Sequence, residues 1–365
     1  MTLRLRGGTG NGKPTALWVS TSLKTKGGVS TYVRGMTATE LADEWNITHV
    51  ATHRDGTTLV KILQFACSIP KFVYRVLRDR PVVVHVHVSS RGSFFRKYVI
   101  CLIARAMRLP VIAHVHGAKF DAFYANSPQF VKSAVRNMLA AAAAVVALGE
   151  SWGERLKSME PSANVIVIPN PARPVGGVEQ PTGVEPVAVL FLGRIDDSKG
   201  VWCLIEAWHE MLANRDGRPA TLTLAGDGEL DRASAMVRDR GLTDSVTLTG
   251  WVDPVDVPAL LRASQVLVLP SRHEGQSMAV LEAMANGLCV IVTPVGGMPE
   301  LIADGCGVLV PTGDVHLLAK ALDNVVSDDQ SRMRMGAAAL QRVKDQFDID
   351  VIWRRFDQLY REHSR

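Results

Sequence analysis

Cysteine is scarce in this chain, and none of the five (Cys67, Cys101, Cys203, Cys289, Cys306) stands in a CxxC or other ligand spacing. That pattern argues against a disulfide framework and a thiolate metal site, and reads as buried thiols in a reducing cytoplasm. A signal peptide's apolar centre is also missing. The opening "MTLRLRGGTGNGKP" is polar, and residues 1–14 are expected to be disordered. No run suits a bilayer: "LAAAAAVVAL" is too short, and "YVICLIARAMRLPVIAHV" carries Arg105 and Arg108. The chain has no GxGxxG fingerprint, no GxxxxGK[ST] loop and no low-complexity tract. A recognisable nucleic-acid reading module is absent too, so nucleic acid is not an expected partner.

What is present is a chain of 365 residues, 47% hydrophobic, comfortable for two domains and able to bury a core without cross-links. Its charge is divided. Residues 1–180 hold 23 Lys/Arg against 10 Asp/Glu, a balance of +13, and residues 181–365 hold 18 against 26, a balance of −8. A basic first half suggests an anionic partner such as a phosphorylated substrate or a membrane surface.

Strand-like and helix-like runs alternate throughout. "TALWVSTS" precedes a helical "STYVRGMTATELADEW", and "VVVHVHVSS" precedes "RKYVICLIARAMR". "PVIAHVHG", "AAVVALGE" and "VIVIPN" complete a first set. The Pro- and Gly-rich stretch at 169–186 breaks the pattern. A second set follows: "VAVLFLGR", "ATLTLAGDG", "SVTLTGWV", "VLVLPS", "CVIVTP" and "GVLVP". This is the signature of parallel sheets. We therefore expect an α/β chain of two Rossmann-like, doubly wound domains, over 15–172 and 188–345, joined by a linker at 173–187. An amphipathic helix over 346–365 puts Ile352, Phe356, Leu359 and Tyr360 on one face. Two such domains leave a cleft, and ligands bind beyond the carboxyl ends of the strands.

Three loops follow strands and expose backbone. In "LKTKGGVS", Gly27 and Gly28 allow a tight turn and close approach to main-chain amides, although a plain βα turn reads the same way. In "FLGRIDDSKG", Arg194 and Lys199 place two cations at one strand end, suited to a diphosphate. In "SRHEGQSMAVLEAMANG", a helix is expected near Ser277, with Ser277 as its cap and the amides of Ser277, Met278 and Ala279 facing outward. An anion there gains about 0.3–1 kcal/mol from the helix dipole. Glu274 stands before that cap. Glu282 lies more than one turn inside an otherwise apolar helix, where a carboxylate is costly unless it accepts hydrogen bonds. Vicinal sugar hydroxyls are suitable donors. A nucleotide-sugar, with a polyol at each end and a charged group between, answers the spacing of the two glutamates.

These residues resemble a known family. "FLGRIDDSKG", "LAGDGEL", "LTGWV" and "PSRHEGQSMAVLEAMANGLCVIVTPVGGMPELIADGCGVLVP" are similar to the donor domain of retaining glycosyltransferases of family 4, which have the GT-B fold. "KGGVSTYV" and "AHVHGAKF" match that family more loosely. The resemblance implies that Arg194 and Lys199 bind the diphosphate and that Glu282 binds the ribose. Glu274, with the amides of Gln276, Ser277 and Met278, would contact the donor sugar. Main chain near Trp251 and Val252 would frame the base, Gly28 would approach the phosphates, and His116 would lie near the reacting sugar. It also implies a donor site without metal or other cofactor, the C-terminal helix crossing back to the first domain, and same-face attack with the leaving diphosphate taking the acceptor's proton. Gly275-Gln276-Ser277 stands where the family more often has Gly-Phe-Gly, which leaves the sugar's identity open.

"HVHV" at 85–88 and "HVHG" at 114–117 each put two histidines on one strand face. Four imidazoles are an alternative zinc site. The reading preferred here makes His85 and His114 structural and lets His87 and His116 line the cleft. "DID" at 348–350 has a metal-binding spacing but opens the last helix, where aspartates serve as caps. "SSRGSFFRKYVICLIARAMR" gathers Ser89, Ser90, Arg91, Arg96 and Lys97 beside Phe94 and Phe95. Its plain reading is a βα unit with solvated charges. Its sharper reading is an acceptor site for a phosphorylated lipid carrier, carried by His87, Ser89, Arg91, Arg96 and Lys97, near an anionic membrane surface. The expected activity is hexose transfer from a nucleoside diphosphate sugar to a hydroxyl of a saccharide or lipid-linked acceptor in polysaccharide or cell-envelope synthesis. Alternatives are a GT-B epimerase or hydrolase, and a non-catalytic membrane-docking protein.

Overall fold

The computed structural model describes residues 12–181, 185–213 and 218–364, so residues 1–11 of the stretch expected to be disordered lie outside it. The chain divides into two compact units, Met1–Asn170 with Ile349–Arg365, and Pro171–Asp348.

The first unit contains β1 (Ala16–Ser20), β2 (Thr48–Ala51), β3 (Val83–Val88), β4 (Val111–Val115), β5 (Ala144–Ala147) and β6 (Val165–Val167). They form one sheet in the order β2-β1-β3-β4-β5-β6, and every pair is parallel. Every residue of β1, β3, β4 and β5 is buried, as both faces of a parallel sheet must be when helices cover them. The last helix, Ile349–His363, belongs to this unit. Its Ile352, Phe356, Leu359 and Tyr360 are all buried, as the amphipathic pattern predicts. Trp45 ties it down by donating from Nε1 to Asp357 at 2.8 Å. Asp350 lies in its first turn, at the helix's positive end.

The second unit contains β7 (Val187–Leu192), β8 (Ala220–Ala225), β9 (Val246–Gly250), β10 (Val266–Leu269), β11 (Cys289–Val292) and β12 (Gly307–Leu309). Its order is β12-β11-β10-β7-β8-β9, again parallel. The described part of the segment expected to be a linker is strapped to this unit. The Val175 amide donates to the Ala285 carbonyl at 2.9 Å, Gln265 donates to the Glu179 carbonyl at 3.0 Å, and Arg332 donates to Gln180 at 3.0 Å.

Three local differences from the sequence reading have physical causes. β2 is absent from the expected strands because "THVA" is an edge strand, with only Val50 of its four residues buried. The 22-residue helix Thr58–Asp79 escapes because Pro70 interrupts its run, and Leu59, Ile62, Leu63, Tyr74 and Leu77 all face solvent. The run "STYVRGMTATELADEW" makes two helices, Gly28–Thr37 and Glu40–Glu44, because the Thr39 hydroxyl turns back to the Met36 carbonyl at 2.7 Å.

Candidate active site

In the second unit, β7 comes first in sequence; the chain builds β8 and β9 on one side and β10 to β12 on the other. The point where strand order reverses lies between β7 and β10, and that is where open α/β sheets take ligands. The loop after β7 carries Arg194 and Lys199. The loop after β10 carries Glu274. Across this point the Lys199 ammonium makes an ion pair with the Glu274 carboxylate. Glu274 is buried, at 8% exposure, and accepts a second hydrogen bond from Ser271 Oγ at 2.9 Å. The two partners lie 75 positions apart in the chain. Arg194 is exposed, with its Nε 3.2 Å from Asp196. Lys199 is thus paired with the carboxylate of the loop after β10, and Arg194 with an aspartate of its own loop.

The helix expected near Ser277 spans Met278–Ala285. Ser277 sits at its N-cap with extended backbone, but its side chain makes no capping hydrogen bond, a correction to the expected cap. Gln276 and Ser277 are buried, while Met278 and Glu282 are half-buried. Val280, Leu281, Ala283, Met284 and Ala285 are all buried around Glu282. Trp251 is exposed just after β9, and Val252 packs partly into the core.

Glycines brace both loops in a way the sequence reading did not assign. Gly296 has φ +57°, and a Cβ there would fall 1.7 Å from the Glu274 carbonyl oxygen. The neighbouring Gly297 amide donates to the Gly275 carbonyl at 2.7 Å. Gly200, at φ +73°, would place a Cβ 2.0 Å from the Pro270 carbonyl oxygen, so it holds the end of the Lys199 turn against the end of β10. The Arg272 amide donates to the Ser198 carbonyl at 2.9 Å, and its guanidinium lies 3.1 Å from Asp197. The available signal was the glycine pair following a strand in "CVIVTPVGG".

In the first unit, the histidines of β3 and β4 form a ladder because His87 pairs in register with His114. His85 Nε2 lies 3.2 Å from His114 Nδ1, and His87 Nδ1 lies 3.0 Å from His116 Nε2. His85 Nδ1 bonds to the Tyr360 hydroxyl. Ligand atoms of His85, His87 and His114 all lie within 4.8 Å of one another, but two of these rings already bond to each other. Burial pushes all four imidazoles below their ordinary pKa, His116 to about 3. The ladder is therefore neutral at physiological pH. His85 and His114 are fully buried, and His116 is half-buried at the end of β4.

This sheet also reverses order, between β1 and β3. A cavity of about 250 Å³ lies there, lined by residues that include Gly28, His53, His87, Ser89, Arg96 and Lys97. Four of the five residues expected at the acceptor come together in it. Arg91, the fifth, is not part of that lining; it sits exposed at the N-cap of the helix Gly92–Ala106 with φ 53°. Gly28, grouped on sequence with the donor residues, lines this first-unit cavity. His53 was missed together with β2, the strand it follows.

Residues 186–328 match the family described as glycosyl transferases group 1, and residues 46–171 match the glycosyl transferase 4-like domain. The alpha-D-kanosaminyltransferase of Streptomyces kanamyceticus is 27% identical over 307 residues, 78% of each chain. Among solved structures, sucrose-phosphate synthase from Thermosynechococcus elongatus superposes with a TM-score of 0.79 at 18% identity, covering 95% of this chain and 98% of that one. HepE of Anabaena, solved in complex with UDP-glucose, gives 0.75 at 18% identity, covering 95% and 99%. With two parallel six-stranded sheets and the two family matches together spanning both units, the protein belongs to the group 1, family-4-like glycosyltransferases and has the GT-B fold.

Proposed function

We propose that this chain is a retaining hexosyltransferase that uses a nucleoside diphosphate sugar. The observation that carries this reading is the Lys199–Glu274 ion pair at the reversal of strand order in the second unit. A buried carboxylate held by a lysine and a serine at the mouth of a helix is a site already arranged for a ligand of mixed charge. When the donor binds, Lys199 leaves Glu274 for the diphosphate, joined by Arg194 and the amides of Gln276, Ser277 and Met278. Glu274, released, accepts from hydroxyls of the donor sugar. Glu282 accepts from the ribose, and main chain at Trp251 and Val252 frames the base. Two cations and a helix end supply the positive charge, so the site works without a metal. The complex of HepE with UDP-glucose supports a donor of this class.

The first unit carries the acceptor. Gly28, His87, Ser89, Arg96 and Lys97 line its cavity, Arg91 stands outside that lining, and neutral His116 donates to or accepts from the reacting hydroxyls. The acceptor in this reading is a lipid-linked saccharide of polysaccharide or cell-envelope synthesis, met at the cytoplasmic face of a membrane. The exposed apolar side chains of the helix Thr58–Asp79, interleaved with Lys61, Lys71, Arg75 and Arg78, support contact with an anionic bilayer surface. No described helix is long and apolar enough to cross one. The test is incubation with a panel of sugar nucleotides and membrane lipid extract, followed by mass spectrometry and NMR of the new linkage. Transfer with the α-configured donor giving an α-linked product supports the proposal. An inverted linkage ends the retaining assignment, and release of free sugar alone ends the transferase assignment.

A further inference from the structure

The cavity of the first unit has a chemistry that its position alone does not explain. Lys97 lines it, is only 2% exposed, and has no hydrogen-bond or ion-pair partner among the described residues. A lysine that deep, with no acceptor, carries a desolvation cost that its own fold does not offset. The adjacent Arg96 also lines the cavity, and its buried Nε has no partner. No carboxylate is part of the lining. Hydroxyls of Ser89 and Ser93 are, and Lys26 is a third cationic side chain of the lining, so the wall is cationic and hydroxyl-bearing with no carboxylate on it.

Two helices end at the same place. Gly28–Thr37 and Gly92–Ala106 both begin at the cavity, and neither has a side-chain cap on its first turn. Each therefore presents backbone amides and the positive end of its dipole. A volume of about 250 Å³ corresponds to about eight waters at about 30 Å³ each. That is room for a tetrahedral oxyanion and the first atoms of its ester. Lys97 serves as the point charge and Arg96 as the fork; hydroxyls and amides take the remaining oxygens.

We propose that this cavity is a phosphate subsite and that the acceptor is a phosphorylated molecule, held through Lys97 and Arg96. The inference rests on the reading of the chain as a glycosyltransferase whose first unit carries the acceptor. It narrows that acceptor to a phosphate ester, either a soluble sugar phosphate or a lipid phosphate.

The experiment uses the full chain and three probes: inorganic phosphate, hexose monophosphates with their unphosphorylated hexoses, and phosphatidylcholine vesicles with or without polyprenyl phosphate. Affinity is measured by calorimetry, and UDP binding is followed in parallel. Wild type is expected to bind a phosphate-bearing probe and to ignore the parent hexose and plain vesicles. Lys97→Met, close in shape, is expected to weaken phosphate binding at least about tenfold while leaving UDP affinity within about twofold. Arg96→Gln, at a half-buried position, is expected to do the same and stands as the second variant should Lys97→Met not fold. Unchanged phosphate affinity in both variants overturns the proposal. Equal loss of UDP affinity also overturns it, because the cavity then belongs to the donor. Failure of wild type to bind any of UDP, GDP and ADP is a different result; it removes the donor reading and leaves the phosphate measurement to stand separately. Binding to hexose monophosphates and not to polyprenyl phosphate assigns a soluble acceptor, and the reverse assigns a lipid.

Discussion

Gly296 touches Glu274 backbone to backbone: a side chain of even one carbon at 296 would lie 1.7 Å from the Glu274 carbonyl oxygen. The loop that carries the buried carboxylate is held in place by the absence of an atom on the next strand's loop. Gly296→Ala should therefore destabilise the second unit. The left-handed backbone alone costs about 1–3 kcal/mol in strain, and the collision adds to that. At about 2–4 °C per kcal/mol for a unit of this size, the melting temperature should fall by several degrees. An unchanged melting temperature would mean that the loop is not braced there.

The Lys199–Glu274 pair makes a prediction of opposite character for its two partners. Lys199→Met leaves a buried carboxylate that still accepts from Ser271, and should cost about 1–3 kcal/mol of stability as well as donor affinity. Glu274→Gln keeps a side chain of the same shape and should leave stability nearly unchanged. It should still lower transfer by about ten- to a hundredfold, the worth of one charge-assisted bond. Urea denaturation and steady-state kinetics on the two variants separate the roles. Equal stability loss in both would show that the pair is structural.

Glu282→Ala removes the half-buried carboxylate of the helix Met278–Ala285. Donor affinity should fall about tenfold or more, at roughly 1.4 kcal/mol per decade. Isothermal titration with UDP and UDP-sugars reads this directly. Wild-type affinity in the variant would take the ribose contact away from Glu282.

His116 is held neutral, its pKa pushed down by burial to about 3. It gains a proton only below that value, so it contributes no ionisation between pH 5 and pH 9. His116→Gln should lower turnover, leave donor binding intact, and give a pH–rate profile of wild-type shape. A profile that loses a limb in the variant would show that the imidazole titrates during catalysis.

Lys97 gives a stability prediction with a definite sign. Burial, and then the neighbouring Arg96, push its pKa from 10.5 to about 7, with Cys101 opposing. Between about pH 7 and 10.5 the unfolded chain holds more protons than the folded one, so stability rises with pH across that window. The destabilising contribution of Lys97 is full below pH 7 and is lost as pH rises. Lys97→Met should therefore stabilise the ligand-free protein more at pH 6 than at pH 10. Equal gains in urea denaturation at both values would place the ammonium in water.

Much of the arrangement of charged residues at the strand ends of the second unit was legible in the sequence because it is local. Arg194 and Lys199 follow one strand, and Glu274 and Glu282 share one loop and helix, so spacing alone locates them relative to a strand end. Periodicity also located eleven of the twelve strands, because buried parallel strands read as continuous apolar runs. β2 and His53 were not legible, since an edge strand buries little and carries no such run.

By itself, the amino-acid order determined that two parallel-sheet units would form, and which strand ends would carry cations, carboxylates and bare glycine backbone. Only the tertiary structure decided which of these meet. Strand order brought the loops after β7 and β10 side by side, so that Lys199 reached Glu274 across 75 residues of chain. The same reversal between β1 and β3 gathered Lys97, Arg96 and two helix ends around one cavity. Periodicity reports which face of an element is buried, and it is silent on which element lies beside it. That is set by packing, and here packing placed the charges.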